Sequence, residues 1–244
     1  MTQPSPLAES PDARAAALIA RFGPHPATTL GLDLETGEEQ DLGRWLVACC
    51  LLSQRFEEST ALTACRELGA PGLAEPVALA SRDLAELTSV LEQTGVPRAE
   101  RVAVLLLRVS RSFLERFGAS FSNLVGGTEG LEELGGRLTS LASGFGRSGV
   151  ARFLRPLRSV WPAAEDVPPE RATRAAAIHL GWMSEQDEEL VGPGRLRGIA
   201  QGEPFGARWY DLEAALGRIG QRACLGERAA RCPLGSTCPL RHPA

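Results

Sequence analysis

The apolar residues of this chain recur at helical spacing from one segment to the next, and almost nothing alternates with the period of two that a half-buried strand needs. That pattern limits the chain to helix packed on helix. The segments are "PDARAAALIARF", "RWLVACCLLSQ", "EESTALTACREL", "EPVALASRDLAELTSVLEQT", "PRAERVAVLLLRVSRSFLERF", "TEGLEELGGRLTSLA", "GVARFLRPLRSVW", "PPERATRAAAIHLGW" and "ARWYDLEAALGRIGQRAC", most of them separated by Gly or Pro. The second is apolar nearly all round and reads as a buried helix. "LDLETGEEQDLG" reads as an acidic connection, and "SEQDEELVGPGRLRGIAQGEPFG" as the longest loop. The expected class is all-α.

All 26 basic residues are Arg, so no chemistry that needs a lysine amine is open to these side chains. The net charge of −4 and a sequence pI of 5.6 argue against general nucleic-acid binding and leave room only for a local basic patch. No apolar run approaches the ~20 residues of a membrane span, and the N-terminal stretch has no basic leader region, which points to a cytoplasmic protein. In that compartment the six cysteines stay reduced. Cys49, Cys50 and Cys65 lie on apolar helix faces and read as small core residues. Cys224, Cys232 and Cys238, spaced C-x7-C-x5-C and followed by His242, point to metal before disulfide.

"SLASGFGRSGVARFLRPLRS" sets Gly144 and Gly146 one residue apart just ahead of a helix. Such a turn leaves backbone N–H groups free at a helix N-terminus, where they and the dipole favour a phosphate. An ordinary inter-helix turn would look the same. Arg147, Arg152, Arg155 and Arg158, with few acids nearby, are the candidate phosphate-facing patch. Trp161, Trp182, Trp209 and Tyr210 read as packing anchors, and His179 as structural.

With its neighbours, this turn resembles the helix-hairpin-helix DNA glycosylase superfamily, in its endonuclease III-like branch. "ARFGPHPATTLGLD" is similar to the N-terminal segment of that family and "VACCLLSQRFEESTALTA" to its "LLSAQ" helix. "LTSVLEQTGVPRAERVAVLLLRVSRSFLERFG" resembles the following helix, Gly and helix, and "LASGFGRSGVARFL" the hairpin. The resemblance implies a six-helix barrel over residues 44–160, beside a second helical domain made from 1–43 and 161–244. It also implies double-stranded DNA carrying a damaged base or abasic site as the partner of a monomer. Gln54 resembles the residue that fills the gap left by a flipped nucleotide, a flip that costs a few kcal/mol of unstacking; Arg55 beside it could meet phosphate. Gly144, Gly146, Arg147, Ser148 and Arg152 complete the implied DNA contacts.

The departures from the family matter as much. Where its bifunctional members carry the attacking lysine this chain has Ser148, so lysine-dependent lyase chemistry is excluded. Active members use an aspartate near the helix after the barrel to stabilise the developing oxocarbenium ion and orient water. Counting forward from the hairpin gives Asp166, counting back from "HLG" gives Glu170, and two prolines between them mark a rebuilt loop. The family's C-x6-C-x2-C-x5-C pattern for a [4Fe-4S] cluster resembles the run of Cys224, Cys232 and Cys238, with Ala229 in the place of the second ligand and the first interval shortened by two residues. The cluster would then hold three thiolates and an open fourth position, for which His242 is the nearest donor.

Three readings follow. The leading one is a monofunctional DNA N-glycosylase of base-excision repair. Against it stand a catalytically lost DNA-binding module of the same fold, and a helical metal-binding protein unrelated to DNA.

Overall fold

The computed structural model describes residues 11–70, 72, 74–184, 208–225, 232 and 234. The protein is all-α, with no strand among the described residues. No described helix is long and apolar enough to cross a membrane. The chain divides into two compact units, one from both chain ends, Met1–Thr28 with Pro168–Ala244, and the other contiguous, Thr29–Val167. The cuts fall at 28/29 and 167/168, not at 43/44 and 160/161. The physical reason for the first is apolar: Leu32 and Leu34, inside the acidic stretch, are 2% and 0% exposed and belong to the contiguous unit.

That unit is arranged around α3 (Glu39–Leu52), in which Leu42, Gly43 and every residue from Trp45 to Leu52 is buried. A helix buried on all faces needs neighbours on all faces. They are α4 (Glu58–Gly69), α5 (Pro76–Ala80), α7 (Ala99–Phe117) and α10 (Arg147–Leu154). Trp45 donates its indole N–H to the Phe153 carbonyl at 3.1 Å, which satisfies the one polar atom that its burial removes from water. Phe113, Phe121, Phe153 and Trp161 form a continuous aromatic cluster, with centroids 4.6 Å apart for the first pair and 5.8 Å for the last.

The segment "EPVALASRDLAELTSVLEQT" is two helices, α5 and α6 (Leu84–Gln93). Asp83 breaks it: its carboxylate accepts the Ala85 N–H at 2.8 Å, and an aspartate at a helix N-cap competes with continuation of the preceding turn. α7 ends at Gly118, whose φ of 61° lets its N–H reach the Leu114 carbonyl and close the last turn. The short α8 (Phe121–Val125) is capped by its own Ser120, whose hydroxyl accepts from the Asn123 N–H, and also by a residue of another helix. The Glu39 carboxylate accepts from the Phe121 N–H at 2.9 and 3.0 Å and from the Ser122 N–H at 3.3 Å. α9 (Leu131–Thr139) then leads through a turn into α10.

The unit of the chain ends packs α1 (Pro11–Phe22) and α11 (Arg171–His179) against α12 (Trp209–Ile219). A single turn, α2 (Pro26–Thr29), follows α1. The core is Ala15, Leu18 and Phe22 from α1, Ala176 and Ala177 from α11, and Trp209, Leu212, Leu216 and Ile219 from α12. Past α12 the chain enters a π-turn, Gly220–Cys224, where a Cβ on Gly220 would collide with the Ala172 backbone. Two polar anchors tie residues 22–28 to α12. The buried Asp211 carboxylate accepts from the His25 N–H and the Thr28 hydroxyl, both at 2.7 Å. Arg218 donates to the carbonyls of Phe22, Gly23 and Pro24 at 3.2, 2.8 and 2.7 Å.

Burial pushes the Asp211 carboxyl above its ordinary value, against the two hydrogen bonds and the charges of Arg208 and Arg218. A carboxyl raised on folding favours the folded state fully only below its unfolded pKa and loses that contribution as pH rises through the folded value. Asp211→Asn keeps the accepting oxygen and drops the charge. Its thermal midpoint is therefore expected to exceed that of the parent at pH 7, with the advantage vanishing below about pH 4, where both states of the parent are neutral. Asp211→Ala is expected to lose about 1–3 kcal/mol in urea denaturation, because two buried donors are left unpaired.

Candidate nucleic-acid interface

The hairpin turn sits where it does because glycine permits two close approaches. A Cβ on Gly144 would lie 2.8 Å from Leu105 of α7, and one on Gly149 would lie within 2.9 Å of both the Phe145 ring and the Ser53 hydroxyl at the end of α3. Phe145, fully buried, pins the turn between them. The outer face is consequently held still and left open, with Gly144, Gly146, Arg147 and Ser148 all exposed. Gly146 is the N-cap of α10 and supplies no side chain, so no N-cap side chain takes up the first-turn N–H groups of that helix.

Beside the turn lies a cleft of about 570 Å³, wholly within the contiguous unit. Its charged groups are Arg55, Arg98 and Arg101, with no carboxylate among its lining residues. Ser53 and Gln54 add polar atoms, Phe56, Pro97 and Val102 an apolar wall, and Gly144 joins it to the hairpin. The cleft thus brings together three residues expected from the sequence, Gln54, Arg55 and Gly144, and adds Arg98 and Arg101, which sequence reasoning missed. None of the three arginines makes an ion pair among the described residues, in contrast to Arg44, Arg82 and Arg137, which pair with Glu75, Glu86 and Glu133. Glu92 and Glu100 line a neighbouring hollow on the other side of Arg98 and Arg101. Gln54 is half-buried and donates its amide to the Cys50 carbonyl at 3.0 Å, capping the end of α3.

Arg98 carries a backbone cost. It is the N-cap of α7 with φ 56° and ψ 46°, the left-handed region that a residue with a Cβ seldom adopts, where an N-cap is ordinarily extended. Its side chain is exposed and no cap hydrogen bond compensates. The left-handed backbone costs about 1–3 kcal/mol here, as at Ala119, the other non-glycine residue with positive φ among the described residues.

The arginine series after the hairpin separates. Arg147 is exposed and without an ion-pair partner among the described residues, and Arg152 is half-buried with its Nε lacking a hydrogen bond. Arg158, expected to face phosphate, is only 4% exposed, because the short helical turn Arg155–Leu157 carries it into the interior. Burial pushes the Cys49 thiol well above its ordinary value against the pull of Arg152 and Arg155, and the Cys65 thiol to about 12. These thiols, with Cys50 equally buried, are core atoms and not nucleophiles.

The two candidate carboxylates fall in different units. Asp166 is exposed near the end of the contiguous unit, and Glu170, half-buried, is the N-cap of α11 in the other, where its side chain makes no capping hydrogen bond. Of the candidate metal ligands, Cys224 closes the π-turn and Cys232 lies against the same core, both half-buried. Cys238 and His242 lie outside the described residues. No group of three His, Cys, Asp or Glu side chains is gathered among the described ones.

Neither a protein-family model nor a curated protein matches this chain. Its functional reading rests on its own residues.

Arg98→Gly removes the strain at the N-cap of α7, since glycine adopts positive φ freely. Urea denaturation is expected to show a variant at least as stable as the parent, with a gain of up to about 1 kcal/mol.

Proposed function

We propose that this protein binds duplex DNA at a damaged base or abasic site and releases the base by hydrolysis, as a monofunctional N-glycosylase resembling the endonuclease III-like branch. The observation that carries this reading is an exposed, glycine-held hairpin turn running directly into a carboxylate-free arginine cleft. The hairpin N–H groups and Arg147 would hold the phosphate backbone, and Gln54 at the cleft mouth would stand near the vacated stack. Ser148 and the absence of lysine leave base hydrolysis without strand cleavage as the chemistry. Asp166 or Glu170 would stabilise the developing positive charge on the sugar and orient the attacking water. A [4Fe-4S] cluster on Cys224, Cys232 and Cys238 belongs to the same reading. Its chemistry there would be structural, fixing the C-terminal chain against the core that Cys224 and Cys232 already touch.

The test is incubation with duplexes each bearing one oxidised, alkylated or deaminated base. Strands are expected to break only after alkali, and Asp166→Asn or Glu170→Gln is expected to remove that release. Arg147→Ala is expected to weaken duplex binding about tenfold and to reduce the salt dependence of log K by about one charge. Breakage without alkali contradicts the monofunctional chemistry, and failure to bind duplex at low salt contradicts the DNA reading.

A second reading is favoured by the division of the two carboxylates between units, with Asp166 open to water. It is a DNA-binding module that has lost catalysis. Tight, salt-sensitive binding to an abasic duplex with no base released from any substrate would select it.

The cluster has its own measurement. Anaerobically purified protein is expected to be brown and to contain iron and acid-labile sulfide, with both lost in Cys232→Ser. A colourless protein without either removes the cluster from the proposal.

A further inference from the structure

We infer that the arginine cleft between the end of α3 and the start of α7 is a phosphomonoester subsite, built for the phosphate at the end of a DNA strand. It deepens the DNA reading above and rests on that reading only for the strand that presents the phosphate.

Charge is the first argument. Arg55, Arg98 and Arg101 share one concavity with no carboxylate lining it and no ion pair among the described residues. A phosphodiester within a strand brings one negative charge, whereas a phosphomonoester brings about 1.5 to 2 at neutral pH together with three acceptor oxygens. Three planar guanidinium forks, each able to donate in pairs, match the second far better than the first.

Shape is the second. The cleft holds about 570 Å³, inside the range of roughly 300–1,000 Å³ typical of sites that enclose a small ligand, with Phe56 and Pro97 as apolar wall. A concavity of this volume has room for one phosphorylated sugar, the phosphate among the arginines and the sugar against Phe56 and Pro97. The third argument is the backbone of Arg98, held left-handed at the head of a 19-residue helix. That conformation sets Arg98 at an N-cap position with no side-chain cap, its exposed side chain lining the same cleft as Arg55 and Arg101.

The experiment uses the full chain and a fluorescent duplex carrying one nick, with the nick ending in a 5′-phosphate, a 3′-phosphate or hydroxyls only, beside the same duplex intact. One or both phosphate-ended duplexes are expected to bind at least tenfold more tightly than the hydroxyl-ended one, and the comparison of the two identifies the end. Arg98→Ala, Arg55→Ala and Arg101→Ala are expected to erase that preference, each weakening binding of the phosphate-ended duplex at least tenfold more than binding of the intact one. Glu100→Gln, in the neighbouring hollow, is expected to keep it. Thymidine 5′-monophosphate, but not thymidine, is expected to raise the Tm of the parent and not of Arg98→Ala.

Equal binding of phosphate and hydroxyl ends, with no nucleotide stabilisation, overturns the inference. If duplex binding survives and still depends on Arg147, the DNA reading stands without the subsite. If no duplex binds yet the monophosphate stabilises the parent alone, the subsite stands and the DNA reading falls.

Discussion

Close approach of backbone to neighbouring side chains, permitted by glycine, is the constraint on which the candidate interface depends. Gly144 lies against Leu105, and Gly149 against Phe145 and Ser53, at separations that leave no room for a Cβ. The hairpin is therefore packed closely against α3 and α7, and those helices supply walls of the arginine cleft. Because α3 is buried on every side, movement at its end would disturb Trp45, Phe153 and the aromatic cluster beyond. Rigidity in the core becomes a fixed geometry for charges at the surface.

Helical class was legible because each helix buries one face, and the 3.6-residue recurrence of Leu, Ala and Val is what that burial requires. The same logic placed Cys49, Cys50 and Cys65 and the four large aromatics in the interior. Where apolar residues were sparse the reading failed. Leu32 and Leu34 sit alone in an acidic stretch and gave no period, although each is buried in the contiguous unit. Arg158 looked like its neighbours in sequence, but a short helical turn rotated it inward. Local composition has no means of signalling that rotation.

The cleft was half legible for a related reason. Gln54, Arg55 and Gly144 could be singled out from motifs, whereas Arg98 and Arg101 belong to "PRAER", which reads as an ordinary helix start. What makes Arg98 distinctive is a left-handed φ on a residue with no composition cue for it. Acidic residues were equally misleading. Glu39 caps a helix more than eighty positions away, and Asp211 is a buried acceptor, so neither acts as the solvated charge that its type suggests. An electrostatic account drawn from net charge alone would miss both these buried roles and a concavity lined by three arginines and no carboxylate.

The anchors between residues 22–28 and α12 bear on the order in which the chain becomes complete. The His25 N–H and the Asp211 carboxylate are 186 positions apart, and Arg218 reaches back 194 to 196 positions. During synthesis, Ala15, Leu18 and Phe22 emerge early but meet their core partners only after α11 and α12 have been made. The contiguous unit, Thr29–Val167, has all of its own sequence by then. A growing chain of this kind presents a finished, charge-bearing middle while its first helix still shows bare apolar surface. The apolar face of α1 thus waits for a partner that is complete only once the last turn of α12 has been made.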